Sequence, residues 1–500
     1  MTNSTFINEQ GWLIKKIKEL GYPVDEEGMC YGIAAMALQA ILVGGLADFK
    51  RRLLAIRDTP NLKEAIEAAK TARNARFIAA KKQAKSVYHK EWEELSEEVK
   101  NHVRAEVDAA LTQQERDLLT VYPFFDGIGL YYYASLFYTH LFGEEAKPIG
   151  QDFLRTFPLA KPTLFIDHIS SVNEFSGVYN LLELNNYFGV LRKCFSEVSY
   201  PITLFLSSGD HVMVVAWSSG SQGWILVDPN KLPYLEGLSD QEVAAAVLSG
   251  FSGNEFAAFS AQVFIQENYR EHYRCKVSIL LDDPIWSELH IPTVEKSNRR
   301  DSACASWLHV AVRGNHEAIA VQLLDLGSAS ELTDGRLLFI AAQHGHMRLV
   351  WELLARGCDP NKVYGKAMPL HIAALEGHVQ AVEALLESGA DPTSMALASG
   401  KTAIEIAAYY QYPEIVELLK HALQQRASQM ALLSAGQVVS AHSLFSSTTV
   451  TGLSRRPLPL TPPEQQALLE QATRQNKPLP PIPPKKPRPL PPIPPPKKAA

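Results

Sequence analysis

The sequence predicts an α+β domain, an all-α solenoid of helical repeats and a disordered proline-rich tail, in that order. Three observations predict this order. Short β-rich segments follow a helix-rich region within residues 1–295, a helical hairpin motif recurs within residues 300–425, and 16 of the 31 prolines lie between positions 457 and 496. Because one domain usually has about 100–200 residues, a chain of 500 residues is expected to contain two or three domains.

The composition excludes two classes of protein. Apolar residues make up 46% of the chain and charged residues 20%, as in ordinary soluble globular proteins. This balance excludes disorder of the whole chain and a disulfide-built scaffold. The five cysteines have no C-x-x-C or zinc-finger spacing, so we expect free thiols in a reducing compartment, with no metal and no cofactor.

The charge is unevenly distributed. Residues 451–500 contain nine Lys or Arg and two Glu, so this segment carries +7 and the first 450 residues carry −13 of the total of −6. We therefore expect no direct nucleic-acid binding by the body of the protein. The polar first residues predict no secretory signal, and the apolar residues 33–47 are too few to cross a bilayer, so we expect a buried helix there and no membrane span.

Residues 1–295 change from a helical to a β-rich pattern along the chain. Residues 63–119 contain no Gly or Pro and are dense in Ala, Lys, Glu and Arg, which predicts a pair of amphipathic helices as an insertion near 50–120. Between residues 160 and 290, the segments TLFID, ITLFLS, HVMVVAW and WILVD are short β-rich runs bounded by Gly, Ser and Asp-Pro.

A motif of about 33 residues occurs four times within residues 300–425. Its terminal glycines, Gly327, Gly357 and Gly389, are separated by 30 and 32 residues. In its fullest copies, L-H-x-A-A begins one helix, G-H marks the turn, and V-x-x-L-L belongs to a second helix. The motif resembles the ankyrin repeat, whose helix pairs stack because one pair alone cannot bury its apolar faces.

The ankyrin resemblance implies a protein partner, and we expect partner specificity to reside in residues 300–425. On the same grounds we expect the reactivity of any catalytic thiol to be independent of these residues. The repeat histidines are expected to have structural roles; they are His309, His346, His371 and His378.

Three residues of the first domain have the types and positions of a thiol-based catalytic site. Cys30 lies between Gly28 and Gly32, directly before an apolar helical segment. His211 lies at the start of one predicted strand, and Asp228, 17 residues later, at the end of the next. A β-hairpin would therefore bring His211 and Asp228 onto neighbouring strands.

A cysteine nucleophile needs a base because its thiol, with a usual pKa of about 8.5, is mostly protonated at neutral pH. A helix N-terminus offers at most about 1 kcal/mol towards the thiolate, whereas a histidinium about 4 Å away offers several times more at an effective dielectric constant of about 20. Asp228 would then orient the imidazole. Alternatives remain open: His140, or His168 beside Asp167, could be the base, Cys30 could be a small buried apolar residue, and Asp228 could cap a turn.

The cysteine at a helix start, the distant histidine and the Asp-Pro-Asn strand end together resemble the papain-like cysteine proteases, in particular the YopT-like branch of bacterial effectors. With the C-terminal repeats, the chain resembles the ankyrin-repeat effectors of the Legionella Dot/Icm secretion system. The resemblance implies type IV secretion into a host cell and action on a host protein in the host cytoplasm or nucleus. It also implies the roles of Cys30 as nucleophile, His211 as general base and acid, and Asp228 as orienting residue.

One departure from the papain-like pattern concerns the oxyanion donor. These enzymes commonly have a glutamine a few residues before the cysteine, whereas the nearest upstream glutamine here is Gln10. Losing such a donor can reduce the rate by about 10²–10³-fold. Two further hypotheses follow: a catalytically silent scaffold that acts as a protein-binding adaptor, and a deamidase or acyltransferase with the same triad.

The tail, residues 426–500, contains three copies of the motif [R/K]-x-L-P-x-x-P, at residues 456–462, 477–483 and 488–494. A polyproline helix has three residues per turn, so its x-Pro pairs can fill two aromatic slots while the leading cation meets an acidic pocket. This is the pattern of ligands for SH3 domains. The tail is otherwise expected to be a disordered basic segment.

Overall fold

The computed structural model describes residues 10–22, 29–132, 169–209, 211–218, 220–251, 255–327 and 329–434. The described residues up to Ser428 belong to one compact unit, and those from Gln429 onwards belong to a second. The segment TLFID, the alternative bases His140 and His168, and the proline-rich motifs lie outside the described residues.

Before the sheet, the described part of the chain forms seven helices. Ser96 and Thr112 accept hydrogen bonds from the backbone N–H groups of Val99 and Glu115, and these caps start new helices. The segment 50–120 is therefore divided into more helices than the pair that its composition predicts. The helices are Gln10–Glu19 (α1), Cys30–Leu42 (α2), Leu46–Asp58 (α3), Leu62–Tyr88 (α4), Glu97–Ala109 (α5), Gln113–Leu119 (α6) and Val121–Tyr132 (α7).

Helix α2 is buried from Gly32 to its end at Leu42, because almost every side chain in it is apolar. It crosses α7 at two glycines. A Cβ at Gly32 would lie 2.4 Å from the carbonyl oxygen of Ile128, and one at Gly127 would lie 2.4 Å from the sulfur of Met36. This close approach fixes the direction in which the N-terminus of α2, and hence Cys30, faces.

The sheet has six antiparallel strands in the order β1-β6-β2-β3-β4-β5. Alternate residues of β3 pack into two different cores: Val212 and Val214 face the core that contains α2, while Met213 and Val215 face the core on the other side. The period of two thus buries the sheet on both faces. The strands are Ile169–Tyr179 (β1), Thr203–Ser207 (β2), Val212–Ser218 (β3), Gly223–Val227 (β4), Leu235–Leu238 (β5) and Ala257–Gln266 (β6).

Five helices connect or follow these strands and cover the sheet and its edge. The first of them begins with a reciprocal cap between Asn180 and Glu183. The helices are Leu181–Phe195 (α8), Asp240–Gly250 (α9), Arg270–Leu281 (α10), Pro284–His290 (α11) and Val294–Asn298 (α12). None of the helices that the structure describes is both long enough and apolar enough to cross a membrane.

Helical pairs occupy residues 307–434. Gly327, Gly357 and Gly389 have φ angles of 96°, 89° and 90°, a left-handed conformation that glycine adopts readily, so each ends the second helix of its pair. The helices are Trp307–Arg313 (α13), Glu317–Asp325 (α14), Ala329–Leu332 (α15), Arg336–Gln343 (α16), Met347–Ala355 (α17), Pro369–Glu376 (α18), Val379–Glu387 (α19), Ala403–Tyr409 (α20) and Pro413–Ser434 (α21).

The first helical pair packs directly on the sheet. The apolar core of the repeats continues into Val178 of β1 and Ala258 of β6. The indole Nε1–H of Trp307, a fully buried side chain, donates a hydrogen bond of 3.1 Å to the hydroxyl of Ser176. The repeats and the sheet therefore share one apolar interface.

Candidate functional site

Cys30 is the first residue of α2, and its side chain is half-buried. The preceding residue, Met29, makes no side-chain capping bond. The first N–H groups of a helix have no acceptor within the helix and carry the positive end of its dipole. The local sequence thus places a thiol where a negative charge is favoured.

His211 and Asp228 lie at adjoining ends of β3 and β4. Val214 pairs with Val227 in this antiparallel ladder, so Asp228 is the diagonal neighbour of His211 on the same side of the hairpin. The Nε2–H of His211 donates a hydrogen bond of 2.8 Å to Oδ1 of Asp228. Both side chains are buried, with 9% and 4% of their surfaces exposed.

The thiol group of Cys30 also acts on the imidazole of His211 and contributes to its raised pKa. Asp228 occupies Nε2, which leaves Nδ1 as the other nitrogen of the ring. Burial by itself lowers the pKa of His211, but the interactions with Asp228 and Cys30, together with their charges, outweigh it and raise this pKa to about 9. The structure therefore hydrogen-bonds His211 to Asp228, and the thiol of Cys30 contributes to the raised pKa of the same imidazole.

Asp228 is held from several sides. Its Oδ1 also accepts a hydrogen bond of 2.9 Å from the backbone N–H of Asn230, and Lys231 Nζ lies 3.9 Å from its Oδ2. A Cβ at Gly250 would lie 3.4 Å from Asp228 Oδ2 and 2.5 Å from the sulfur of Met213, so the end of α9 packs closely here. These contacts fix the carboxylate relative to the His211 ring.

The turn before His211 is closed by its own backbone. The N–H of Ser208 donates a hydrogen bond of 2.9 Å to the carbonyl oxygen of His211. The ring of Phe251 packs edge-on against the imidazole, with centroids 6.1 Å apart. The imidazole is thus hydrogen-bonded to Asp228 and packs against the apolar ring of Phe251.

The other four cysteines have different surroundings. Cys194 and Cys358 are buried, and burial raises the pKa of both thiols, that of Cys358 to about 11. Cys275 and Cys304 are exposed. Cys30 differs from these four in that it contributes to the raised pKa of His211.

The repeat histidines bond to backbone groups or lie buried. His346 Nε2 donates a hydrogen bond of 3.0 Å to the carbonyl oxygen of Arg313, in the preceding helical pair. His378 Nε2 donates one of the same length to the carbonyl oxygen of Gln343. In the residues that the structure describes, no group of three or more His, Cys, Asp or Glu side chains is arranged to hold a metal ion.

Sequence reasoning did not include the loop contact of Arg313. Arg313 is the last residue of α13, in the first helical pair, and its Nη1–H donates a hydrogen bond of 2.9 Å to the carbonyl oxygen of Gly209, two residues before His211. Arg313 carries no motif, so the sequence contains no local signal for this contact. Gln10, the nearest upstream glutamine, is the first residue of α1.

Comparison with known families supports the C-terminal part of this description. A family model of ankyrin repeats matches residues 338–428 in three copies. The ankyrin prediction is confirmed over these residues, and ankyrin repeats indicate a protein-binding function. The first pair, α13 and α14, lies outside the matched residues, so a fourth repeat stays a prediction. The chain has no significant match to a curated protein sequence.

Proposed function

We propose that the protein is a thiol-dependent acyl-transfer enzyme of the papain-like type that acts on a protein bound by its ankyrin repeats. The hydrogen bond between His211 and Asp228, together with the contribution of Cys30 to the raised pKa of His211, supports this proposal. A half-buried cysteine at a helix start, a histidine with a raised pKa and a buried carboxylate have the roles that thiol catalysis needs.

The proposed reaction starts from a Cys30 thiolate and a protonated His211. The sulfur attacks the carbonyl carbon of the acyl donor, and the leaving group takes the Nδ1 proton of His211 as its bond to carbon breaks. Water then attacks the thioester and gives one proton to His211. The carbon–sulfur bond breaks, the carboxylic acid leaves, and the Cys30 thiolate and protonated His211 are restored. If an amine replaces water, the same steps transfer the acyl group.

Asp228 has an orienting role in this scheme. Its 2.8 Å bond to Nε2 holds the ring so that Nδ1 faces Cys30. Because Asp228 is buried, its charge is only weakly screened by solvent and favours the protonated ring. The carboxylate therefore stabilises the imidazolium that must donate the proton.

The substrate class and setting follow from the repeats and from the family resemblance. Ankyrin repeats bind proteins, so we propose a protein substrate, met in a host cell after type IV secretion. The adaptor hypothesis gives the same fold but no chemistry at Cys30. The enzyme and adaptor hypotheses therefore differ in the reactivity that they predict for the Cys30 thiol.

The test is alkylation of the full-length protein by iodoacetamide at pH 6, with each cysteine followed by peptide mass spectrometry. Cys30 should react at least about tenfold faster than the exposed Cys275, because a free thiol is mostly protonated at this pH. His211→Ala should remove the difference and leave Cys275 unchanged. Equal rates at Cys30 and Cys275 in the wild-type protein would support the adaptor instead.

We also propose that the proline-rich tail binds SH3 domains, from its three sequence motifs. Arg456, Lys477 and Arg488 lead these motifs, and their changes to Glu should abolish binding to a tandem SH3 array while every proline is kept. Binding that survives the triple change, or no binding by the wild-type tail, would make the segment a spacer.

A further inference from the structure

The loop that carries His211 is bonded to the first helical pair of the repeats. Arg313, the last residue of α13, donates from Nη1 to the carbonyl oxygen of Gly209 at 2.9 Å. Gly209 lies in the turn that the Ser208–His211 hydrogen bond closes, so the hydrogen bond from Arg313 joins this turn to helix α13.

A second contact lies at the same glycine. A Cβ at Gly209 would be 3.2 Å from Nη2 of Arg336 and 3.3 Å from Cε1 of His309. These two side chains come from α16 and α13, the first helices of successive pairs. The repeats therefore pack against the His211 loop as well as bonding to it.

The charge of Arg313 also acts on Tyr31, the residue after Cys30. The ring of Tyr31 packs edge-on against Phe205 of β2, with centroids 5.2 Å apart. Burial raises the pKa of the Tyr31 phenol, and the positive charge of Arg313 acts in the opposite direction. The guanidinium of Arg313 is thus bonded to the loop before His211, and its charge acts on the residue beside Cys30.

Arg313 is also fixed from the next repeat. Its carbonyl oxygen accepts a hydrogen bond of 3.0 Å from His346 Nε2 at the start of α17. The backbone of this arginine is therefore anchored by the repeats while its guanidinium reaches the catalytic loop.

We propose that Arg313 is a positioning residue, which holds the Gly209 carbonyl so that His211 faces Cys30, and that the first repeat is thereby a structural part of the catalytic site. This inference rests on the function proposed above. It departs from the sequence expectation that the reactivity of the thiol is independent of residues 300–425. A partner that displaces the Arg313 side chain would alter reactivity at Cys30 without touching the triad.

The test measures the pH profile of Cys30 alkylation by iodoacetamide, from pH 5 to pH 9, in the full-length chain. Arg313→Ala should reduce the rate at pH 6 by about tenfold or more, because a shift of about 1 Å can cost about 10²-fold in a positioned reaction. Near pH 9 the rate should approach that of the wild-type protein, since free thiols are largely ionised there without a base.

Two further variants separate positioning from simple destabilisation. Arg313→Lys retains a cationic donor and should recover most of the rate at pH 6. Arg356→Ala removes an arginine whose Nη2 bonds to Asp325 at 2.7 Å, away from the loop, and should leave the profile unchanged. Melting temperature and circular dichroism establish that each variant is folded. If Arg313→Ala does not fold, Arg313→Gln replaces it, with the same expected loss of rate at pH 6 and recovery near pH 9.

The outcomes distinguish this inference from the proposed function. If wild-type Cys30 reacts no faster than Cys275 at pH 6, the proposed function fails before any arginine variant is compared. If the wild-type thiol is reactive and folded Arg313→Ala has the wild-type profile, or loses rate equally at every pH, the positioning role is wrong.

Discussion

Replacing Asp228 with Asn should remove a pH-dependent part of the stability of the protein. The pKa of His211 is raised from its ordinary value of 6.5 to about 9 in the folded chain. A group with a raised pKa stabilises the fold fully below its unfolded pKa, and this contribution is lost as the pH rises through the folded pKa. The difference between 6.5 and about 9, at about 1.4 kcal/mol for each pKa unit, corresponds to about 3 kcal/mol.

The assay is urea unfolding of the full-length protein at pH 6 and at pH 9.5. We expect the wild-type free energy of unfolding to fall by about 3 kcal/mol between these pH values through this one group. Asp228→Asn keeps an oxygen that can accept from His211 and Asn230 but removes the charge, so the pKa of His211 should fall below its wild-type value of about 9. The loss of stability between the two pH values should then be smaller than in the wild-type protein.

Asp58→Asn is the matched control, because Asp58 is exposed and pairs only with its neighbour Arg57 among the contacts that the structure describes. It should retain the wild-type pH dependence. If Asp228→Asn retains that dependence as well, the carboxylate does not hold the imidazolium, and the electrostatic account of the site is wrong.

Two other predictions concern the packing that places the site. Gly32→Ala should lower the free energy of unfolding in urea by about 2–3 kcal/mol, because the new Cβ meets the backbone oxygen of Ile128. Gly11→Ala is the control: no atom lies within 4 Å of its Cβ, so the free energy of unfolding should stay the same or rise by up to about 1 kcal/mol. Equal effects of the two changes would contradict the close crossing of α2 and α7. Trp307→Ala should lower the free energy of unfolding by about 3–5 kcal/mol and Ser176→Ala by about 1 kcal/mol. A negligible effect of Trp307→Ala would contradict the packing of the first helical pair on the sheet.

The contacts between residues that are near in sequence could be predicted. The alternation of apolar residues in β3 and β4, with a Ser-Gly turn between them, is enough to place His211 beside Asp228. The spacing of the terminal glycines likewise identifies the repeats, because each φ angle near 90° favours glycine.

The remaining features depend on contacts between distant segments. The bond from Arg313 to Gly209 joins residues 104 positions apart and has no local pattern. The division of residues 50–120 at Ser96 and Thr112 is an exception, because its capping bonds join residues only three positions apart; the Ala, Lys, Glu and Arg composition of the segment does not reveal them. The position of Cys30 relative to the sheet also depends on how α2 crosses α7, which no periodicity specifies.

The central claim, that Cys30 performs acyl transfer with His211, is tested most directly by acylation with p-nitrophenyl acetate. Intact-mass spectrometry of the wild-type protein at pH 7 should show one acetyl group on Cys30, with release of p-nitrophenolate that continues as water removes the acyl group. Cys30→Ser should lose this adduct, and His211→Ala should lose the turnover. No adduct on Cys30, or an adduct whose formation and turnover are the same in His211→Ala, would contradict the claim.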